Sequence, residues 1–165
     1  MAAEFSFDIV SQVDPQAVED AVQTANKEMA NRFDFKGSIS RIEWDRKDFV
    51  LTLFSDDEYR LKSVLDILQS RLVKRGVPLK NLQYEKIESA EKGTVRQNVK
   101  IQQGLPSEKG KEIIKAIKNS GTKAQSTLQG TQVRVSSASK DALQAVIALL
   151  RSRDFGLELQ FTNYR

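Results

Sequence analysis

Two short clusters mix aromatic and cationic side chains, and they are the parts of the chain best suited to hold a base and a phosphate. The first is Arg32-Phe33-Asp34-Phe35-Lys36-Gly37, and the second is Phe161-Thr162-Asn163-Tyr164-Arg165. In a binding site, the cations would contact phosphate oxygens while an aromatic ring packs on a base. In a structural role, the phenylalanines of the first cluster alternate inward and its aspartate pairs with a neighbouring cation. The sequence leaves both interpretations open for both clusters.

Side chains arranged for catalysis are missing. The chain contains no cysteine and no histidine, which excludes disulfides, thiol nucleophiles, zinc sites built on those ligands and histidine-dependent triads. Lys109-Gly110-Lys111 lacks the spacing of a phosphate-binding loop. The carboxylates of Asp56-Asp57-Glu58 are explained by the capping of a helix. We therefore predict a protein that is not an enzyme and has no cofactor or metal site.

The same order of elements is predicted twice along the chain. Hydrophobic periodicity indicates strand, helix, strand, strand, helix, strand over residues 5–87 and again over 94–163. Strands are predicted at 5–10, 38–44, 49–54, 79–86, 94–102, 123–129, 131–136 and 157–163, and helices between 14 and 32, between 55 and 76, at 107–119 and at 139–152. This order is typical of an α+β protein with two ferredoxin-like (split βαβ) domains, each with two helices on one face of a four-stranded antiparallel sheet.

The two repeats differ in charge. Residues 1–92 contain 14 Lys+Arg and 17 Asp+Glu, whereas residues 93–165 contain 12 and 5. The second repeat, at +7, is therefore predicted to meet polyanions. Its helix 107–119 carries a row of lysines (Lys109, Lys111, Lys115 and Lys118), followed by Lys123. That row is either a phosphate-facing patch or a solvated helix face that keeps the protein soluble.

The sheet face without helices is the surface predicted to bind phosphates and sugar hydroxyls. In the basic repeat it should carry Arg96, Lys100, Gln125, Thr127, Gln132, Arg134, Gln160 and Thr162. Sheets that bind RNA by stacking bases carry aromatic residues on two central strands. The corresponding segments, 50–54 and 131–135, do not form such a platform.

Composition also predicts where the two repeats are joined and where in the cell the protein is located. Residues 87–93 form the only stretch with the composition of a linker. The first residues lack a basic segment followed by an apolar run, and no stretch approaches 18 apolar residues. We therefore expect no signal peptide, no membrane contact and a cytoplasmic location.

Several motifs give the chain a resemblance to the YajQ family of bacterial cytoplasmic proteins. They are Ser6–Asp14, Arg32–Gly37, Leu65–Leu68, Leu72–Gly76, Lys100–Gly104 and Gln160–Arg165. The resemblance implies two ferredoxin-like domains that exchange their N-terminal strands. The first would span 11–103, with 94–102 as its edge strand, and the second would comprise 1–10 plus 104–165.

The resemblance also implies binding without catalysis. Members of the family are associated with nucleotides or with RNA such as tRNA, and some are cyclic di-GMP effectors that act with a transcription factor. We predict a nucleotide- or RNA-binding protein, with Arg32, Phe33, Phe35, Lys36, Arg96, Lys100, Arg134, Tyr164 and Arg165 as candidate site residues. The alternative is a protein-interaction or regulatory module that meets a transcription factor or another acidic partner.

Overall fold

The computed structural model describes residues 4–165. Four helices and eight strands occur in the described part of the chain: β1 Phe5–Val10, α1 Pro15–Asn31, β2 Arg41–Asp45, β3 Val50–Ser55, α2 Glu58–Lys74, β4 Leu82–Ser89, β5 Val95–Ile101, α3 Ser107–Asn119, β6 Gln125–Gln129, β7 Gln132–Ser137, α4 Lys140–Arg151 and β8 Gln160–Thr162. Short 3₁₀ turns lie at Phe33–Phe35, Leu79–Asn81 and Glu91–Gly93.

The strands form two four-stranded antiparallel sheets. One has the order β6-β7-β1-β8 and the other β2-β3-β5-β4. With two helices for each sheet, the α+β class is confirmed, and the arrangement is consistent with two ferredoxin-like units. The prediction that 94–102 is an edge strand is wrong, because β5 pairs with β3 on one side and β4 on the other.

The chain divides into two compact units. The continuous unit is Val13–Gln102, and the discontinuous unit combines the residues up to Gln12 with Gln103–Arg165. The predicted linker at 87–93 is wrong, because β4 continues to Ser89 and the following turn joins it to β5 within the continuous unit. A polar, glycine-containing stretch suits a hairpin turn as well as a linker, so composition could not separate the two.

Each unit has its own apolar core. In the continuous unit, buried residues of α1 and α2, such as Val18 and Leu68, pack with Leu51, Leu53 and Val99 of the sheet. In the discontinuous unit, Phe7 and Ile9 of β1 are fully buried with residues of α3 and α4. The alternating pattern of each inner strand therefore places its apolar side chains against two helices.

Side-chain caps fix where three of the helices begin. The Asp14 carboxylate accepts from the Gln16 N–H at 2.9 Å, directly before Pro15. The Asp57 carboxylate accepts from the Arg60 N–H at 2.7 Å. The Ser139 hydroxyl accepts from the Ala142 N–H at 3.2 Å, and α4 thus begins at Lys140 beside the strand β1 that it covers.

Two local predictions are corrected by the structure. Phe33 and Phe35 do not alternate inward along a strand, because 33–35 is a 3₁₀ turn in which Phe33 is 89% exposed and Phe35 is buried. The last strand is Gln160–Thr162 rather than 157–163. Leu157 is buried outside the ladder, so apolar alternation alone overestimated the length of the strand.

Candidate functional site: an aromatic and cationic cleft

A cleft of about 320 Å³ lies within the discontinuous unit, between α4, the start of β1 and the residues after β8. It is lined by Phe5, Ser6, Lys140, Leu143, Gln144, Ile147, Tyr164 and Arg165. This volume is at the lower end of the range of small-molecule sites, about 300–1,000 Å³. Its lining is mostly apolar, with a few polar groups at the rim, as is usual for such sites.

Two aromatic rings contribute to the cleft. The Lys140 ammonium lies 4.9 Å from the centre of the Phe5 ring. The Tyr164 ring lies 6.0 Å from the ring of the buried Phe7 and remains 60% exposed. The exposed Tyr164 ring therefore offers flat surface on which a planar ligand can pack, while the Phe5 ring holds the Lys140 ammonium at the cleft.

The cations at the cleft, Lys140 and Arg165, are not paired with carboxylates. Within residues 4–165, no ion pair of the structure involves either side chain. The backbone of Arg165 is fixed by two hydrogen bonds with Ser6, one donated by Arg165 at 2.9 Å and one by Ser6 at 3.2 Å. An anionic ligand could therefore meet Lys140 without displacing a carboxylate, whereas the hydrogen bond from Arg134 and, to a lesser extent, the charge of Arg165 already lower the pKa of Asp8.

Arg134, which was predicted to face phosphates, is instead paired with Asp8. The two residues are directly opposite each other in the sheet, and the Arg134 Nε donates to the Asp8 carboxylate at 3.0 Å. Asn163 donates to the same carboxylate at 2.7 Å. The hydrogen bond from Arg134 holds the pKa of Asp8 below its usual value, against the opposing effect of burial, with help from the hydrogen bond of Asn163.

The first aromatic and cationic cluster lies in the continuous unit, and its charges are largely satisfied there. Arg32 donates two hydrogen bonds to Asp34, at 2.9 and 2.8 Å. These hydrogen bonds lower the pKa of Asp34 and raise the pKa of Arg32. They are the largest influence on the pKa of each group. The buried Phe35 ring lies between the guanidinium groups of Arg32 and Arg60, at 5.5 and 5.1 Å from its centre. Lys36 is exposed.

Arg96 and Lys100 do not share a sheet with Arg134, because β5 belongs to the continuous unit. The prediction that these three cations lie on one sheet face is therefore wrong. Arg96 pairs with Glu88 at 2.9 Å, and Lys100 pairs with Glu85 at 3.2 Å. The sequence order of the repeats could not show which strands become neighbours.

The charge difference between the repeats becomes small in the folded units. The continuous unit contains 16 Lys+Arg and 15 Asp+Glu, and the discontinuous unit contains 10 and 7. The net charges are thus +1 and +3, rather than −3 and +7, because Glu4 and Asp8 belong to the discontinuous unit and Arg96 and Lys100 to the continuous one. The discontinuous unit is still the more basic of the two, but by two charges rather than the ten that separate the two parts of the sequence.

Two cleft residues, Phe5 and Lys140, were missed by the sequence reasoning. Phe5 was assigned to a buried strand face, and Lys140 follows the cap of a predicted helix. The sequence contains no signal for Phe5, and the only signal for Lys140 is that it is a cation at the first position of a predicted helix. Their neighbourhood depends on the pairing of β1 with β7 and β8, which is a tertiary property.

Metal-binding clusters and membrane-spanning helices are absent from the described residues. Across residues 4–165, no three side chains that could ligate a metal come together. Nor does that part of the chain contain a helix with the length and apolar character needed to span a bilayer.

The fold is that of an α+β protein with two small sheets, each covered by a pair of helices. The aromatic and cationic cleft in one unit suits such a protein to bind a planar anion. The family model for "Nucleotide-binding protein YajQ-like" matches residues 5–165. The chain belongs to this family, and the resemblance seen in the sequence is confirmed.

Similar proteins with related names occur in several bacteria. A nucleotide-binding protein of Elusimicrobium minutum is 53% identical over 163 residues, which cover 99% of both chains. One from Koribacter versatilis is 54% identical and covers 99% of this chain and 98% of its own. One from Carboxydothermus hydrogenoformans is 52% identical over the full length of both. The relatives are named for binding rather than for an enzymatic activity.

Proposed function

We propose that this protein binds a nucleotide in the cleft of the discontinuous unit and does not catalyse a reaction. The observation that carries the proposal is that one cleft is lined by the aromatic residues Phe5 and Tyr164 and by the cations Lys140 and Arg165, with the Lys140 ammonium over the Phe5 ring. A base would pack on aromatic surface, and its phosphate would accept hydrogen bonds from the ammonium and guanidinium groups. The family description and the names of the relatives support the same ligand class.

The nucleotide has two possible sources with the same chemistry. It is either a free nucleotide, including a cyclic dinucleotide such as cyclic di-GMP, or one unit of an RNA such as tRNA. A cleft of about 320 Å³ suits one base with its phosphate, so the rest of a larger ligand would extend over the protein surface. Of the predicted site residues, Tyr164 and Arg165 belong to this proposal, and the remaining ones stay predictions.

Isothermal titration calorimetry with GMP, cyclic di-GMP and a short oligoribonucleotide tests the proposal and distinguishes the sources. The double variant Lys140→Gln with Arg165→Gln should weaken binding at least tenfold, because hydrogen bonds to charged groups are lost. For GMP and cyclic di-GMP, the matched control is Lys111→Gln with Lys115→Gln, which removes the same charge from an exposed face of α3 in the same unit and should leave their affinity unchanged. Equal affinity of parent and cleft variant, or no binding of any of these ligands, contradicts the proposal.

A second candidate function is contact with an extended polyanion or an acidic protein such as a transcription factor. It is favoured by Lys111, Lys115 and Lys118, which are exposed along α3. Phosphate contacts make log affinity fall linearly with log salt, and each lost contact flattens the slope by about one unit. Changing the three lysines to glutamine should therefore flatten the slope of log RNA affinity against log salt concentration by up to about three units. A partner that binds through a specific protein interface depends on salt less steeply.

We also infer that the sheet order reflects an exchange of N-terminal strands between two ferredoxin-like repeats. Both repeats begin with a strand followed by a helix, and β1 and β5 each sit in the sheet formed mainly by the other repeat. Residues 11–103 would then be one folding unit, and 1–10 plus 104–165 the other. The exchange would also tie the start of β1 to α4, where the cleft lies.

A further inference from the structure

The pairing of β1 with β8 shifts by one residue just before the cleft. Asp8 is opposite Thr162, so a regular antiparallel ladder would place Tyr164 opposite Ser6. Instead, Ser6 exchanges both backbone hydrogen bonds with Arg165. One extra residue is therefore accommodated at Asn163, whose φ of 57° is left-handed. This is the geometry of a β-bulge, a feature that commonly redirects a side chain.

The bulge decides which face of the sheet Tyr164 occupies. Ser6 and Asp8 point to the face without helices, because Phe7 between them is fully buried against α3 and α4. Without the extra residue, Tyr164 would point to the same face as Ser6, since residues that are paired across strands share a face. With it, the Tyr164 ring lies 6.0 Å from the Phe7 ring and lines the cleft beside α4.

The side chain of Asp8 holds the bulge. Its carboxylate is almost fully buried and accepts from Asn163 Nδ2 at 2.7 Å, while Arg134 contacts it from the other side at 3.0 Å. A hydrogen bond to a buried, charged acceptor is strong and directional. Asparagine is also among the few residues other than glycine that adopt a left-handed conformation readily.

We propose that Asp8 is a positioning residue for the cleft: through Asn163 it fixes the bulge that places the Tyr164 ring in the cleft and pairs the backbone of Arg165 with that of Ser6. Asp8 is not itself among the residues that line the cleft. The effect on the Tyr164–Arg165 segment is independent of any ligand. Only the predicted effect on affinity rests on the proposed nucleotide binding.

Two measurements on the full chain test the inference. The first follows, without ligand, the solvent exchange of the Arg165 amide and the contacts of the Tyr164 ring with Phe7 by NMR. The second is the affinity for GMP at 25 °C. Asn163→Ala and Asp8→Ala should each accelerate exchange of the Arg165 amide. Asn163→Ala, which leaves in place the Asp8 charge that acts on Arg165, should also weaken GMP binding about tenfold, as expected for the loss of a charged hydrogen bond.

Three further variants separate positioning from general stability. Asn163→Gly keeps the left-handed conformation accessible but loses the side-chain hydrogen bond, so it should behave like Asn163→Ala. The exchanged pair, Asp8→Asn with Asn163→Asp, restores a carboxylate–amide hydrogen bond and should recover most of both readouts. The control Gln160→Ala removes two hydrogen bonds with the Gln12 backbone, at 3.1 and 3.0 Å, on the same strand pair but away from Tyr164, and should change neither.

The outcomes are distinguishable. Unchanged exchange of the Arg165 amide in the Asn163 variants, which alter an exposed residue, overturns the inference even if an Asp8 variant fails to fold. Faster exchange with unchanged GMP affinity overturns the positioning role at the cleft. Faster exchange in a protein whose parent form binds no GMP supports the structural device and counts against the proposed function instead.

Discussion

The two units have the same arrangement of strands and helices but use their cations differently. In the continuous unit, three of the four cations predicted to bind phosphate are paired with carboxylates: Arg32 with Asp34, Arg96 with Glu88 and Lys100 with Glu85. In the discontinuous unit, no ion pair of the described chain involves Lys140 or Arg165; the Lys140 ammonium lies over the Phe5 ring, and Arg165 lines the same cleft. A shared fold therefore does not imply a shared binding surface, which depends on the neighbours of each side chain.

The largest expected effect comes from removing an inner strand. Fragment 11–103 should fold by itself, whereas fragment 1–92 should not, because it lacks β5 and leaves β3 and β4 without their common partner. The dispersion of amide signals in NMR spectra measures this directly. A folded 1–92 together with an unfolded 11–103 would show that the units are divided incorrectly.

Two phenylalanines of the first cluster should differ strongly when they are truncated. Phe35→Ala should lower the free energy of unfolding by about 3–5 kcal/mol, because a buried ring is removed. Phe33→Ala should change it by less than about 0.5 kcal/mol, because that ring is 89% exposed. Urea unfolding of both variants provides the comparison. Similar losses for the two would mean that the sequence interpretation, with both rings inward, is correct after all.

The Asp8 carboxylate should make the discontinuous unit sensitive to acid. Its pKa is lowered in the folded state by Arg134 and then by Asn163, so its stabilisation is fully present above the unfolded value of about 4 and is lost as the pH falls through the folded value. Asp8→Asn should cost about 1.5–3 kcal/mol at pH 7.

The decisive measurement for Asp8 is the pH dependence of unfolding. The difference in the free energy of unfolding between Asp8→Asn and the parent should shrink steadily below pH 4, roughly the pKa of an aspartate in the unfolded chain. Ser38→Ala gives the comparison in the continuous unit, since the Ser38 hydroxyl is the main cause of the lowered pKa of Asp56. A constant difference between parent and Asp8→Asn at every pH would rule out a role for the Asp8 charge.

The smallest effect is expected at the paired cations of the first cluster. Arg32→Gln with Lys36→Gln should leave nucleotide affinity within about twofold of the parent and change the melting temperature little, because exposed ion pairs contribute little to stability. Calorimetry and thermal melting of this variant, beside Lys140→Gln with Arg165→Gln, compare the two units. Lost binding with intact melting would move the site to the continuous unit.

Local structure was predictable from the residues alone. The starts of α1, α2 and α4 follow from the caps Asp14, Asp57 and Ser139, because a short polar side chain that accepts from the first-turn N–H groups acts within a few residues. The alternation of Phe5, Phe7 and Ile9 likewise indicated a strand with one buried face. What alternation did not show was the 3₁₀ turn at 33–35, in which two rings spaced by two residues end in different environments.

The sequence by itself determined the number and type of elements, the α+β class, the family, and the absence of cysteine and histidine chemistry, because these depend on composition and on local periodicity. Only the tertiary structure decided where the charges and the cleft lie. Strand pairing moves β1 into the sheet of β6, β7 and β8, and β5 into that of β2, β3 and β4. Hydrogen bonds between strands do not depend on distance along the chain, so the neighbourhood of Phe5, Lys140 and Tyr164 could not be inferred from their positions in the sequence.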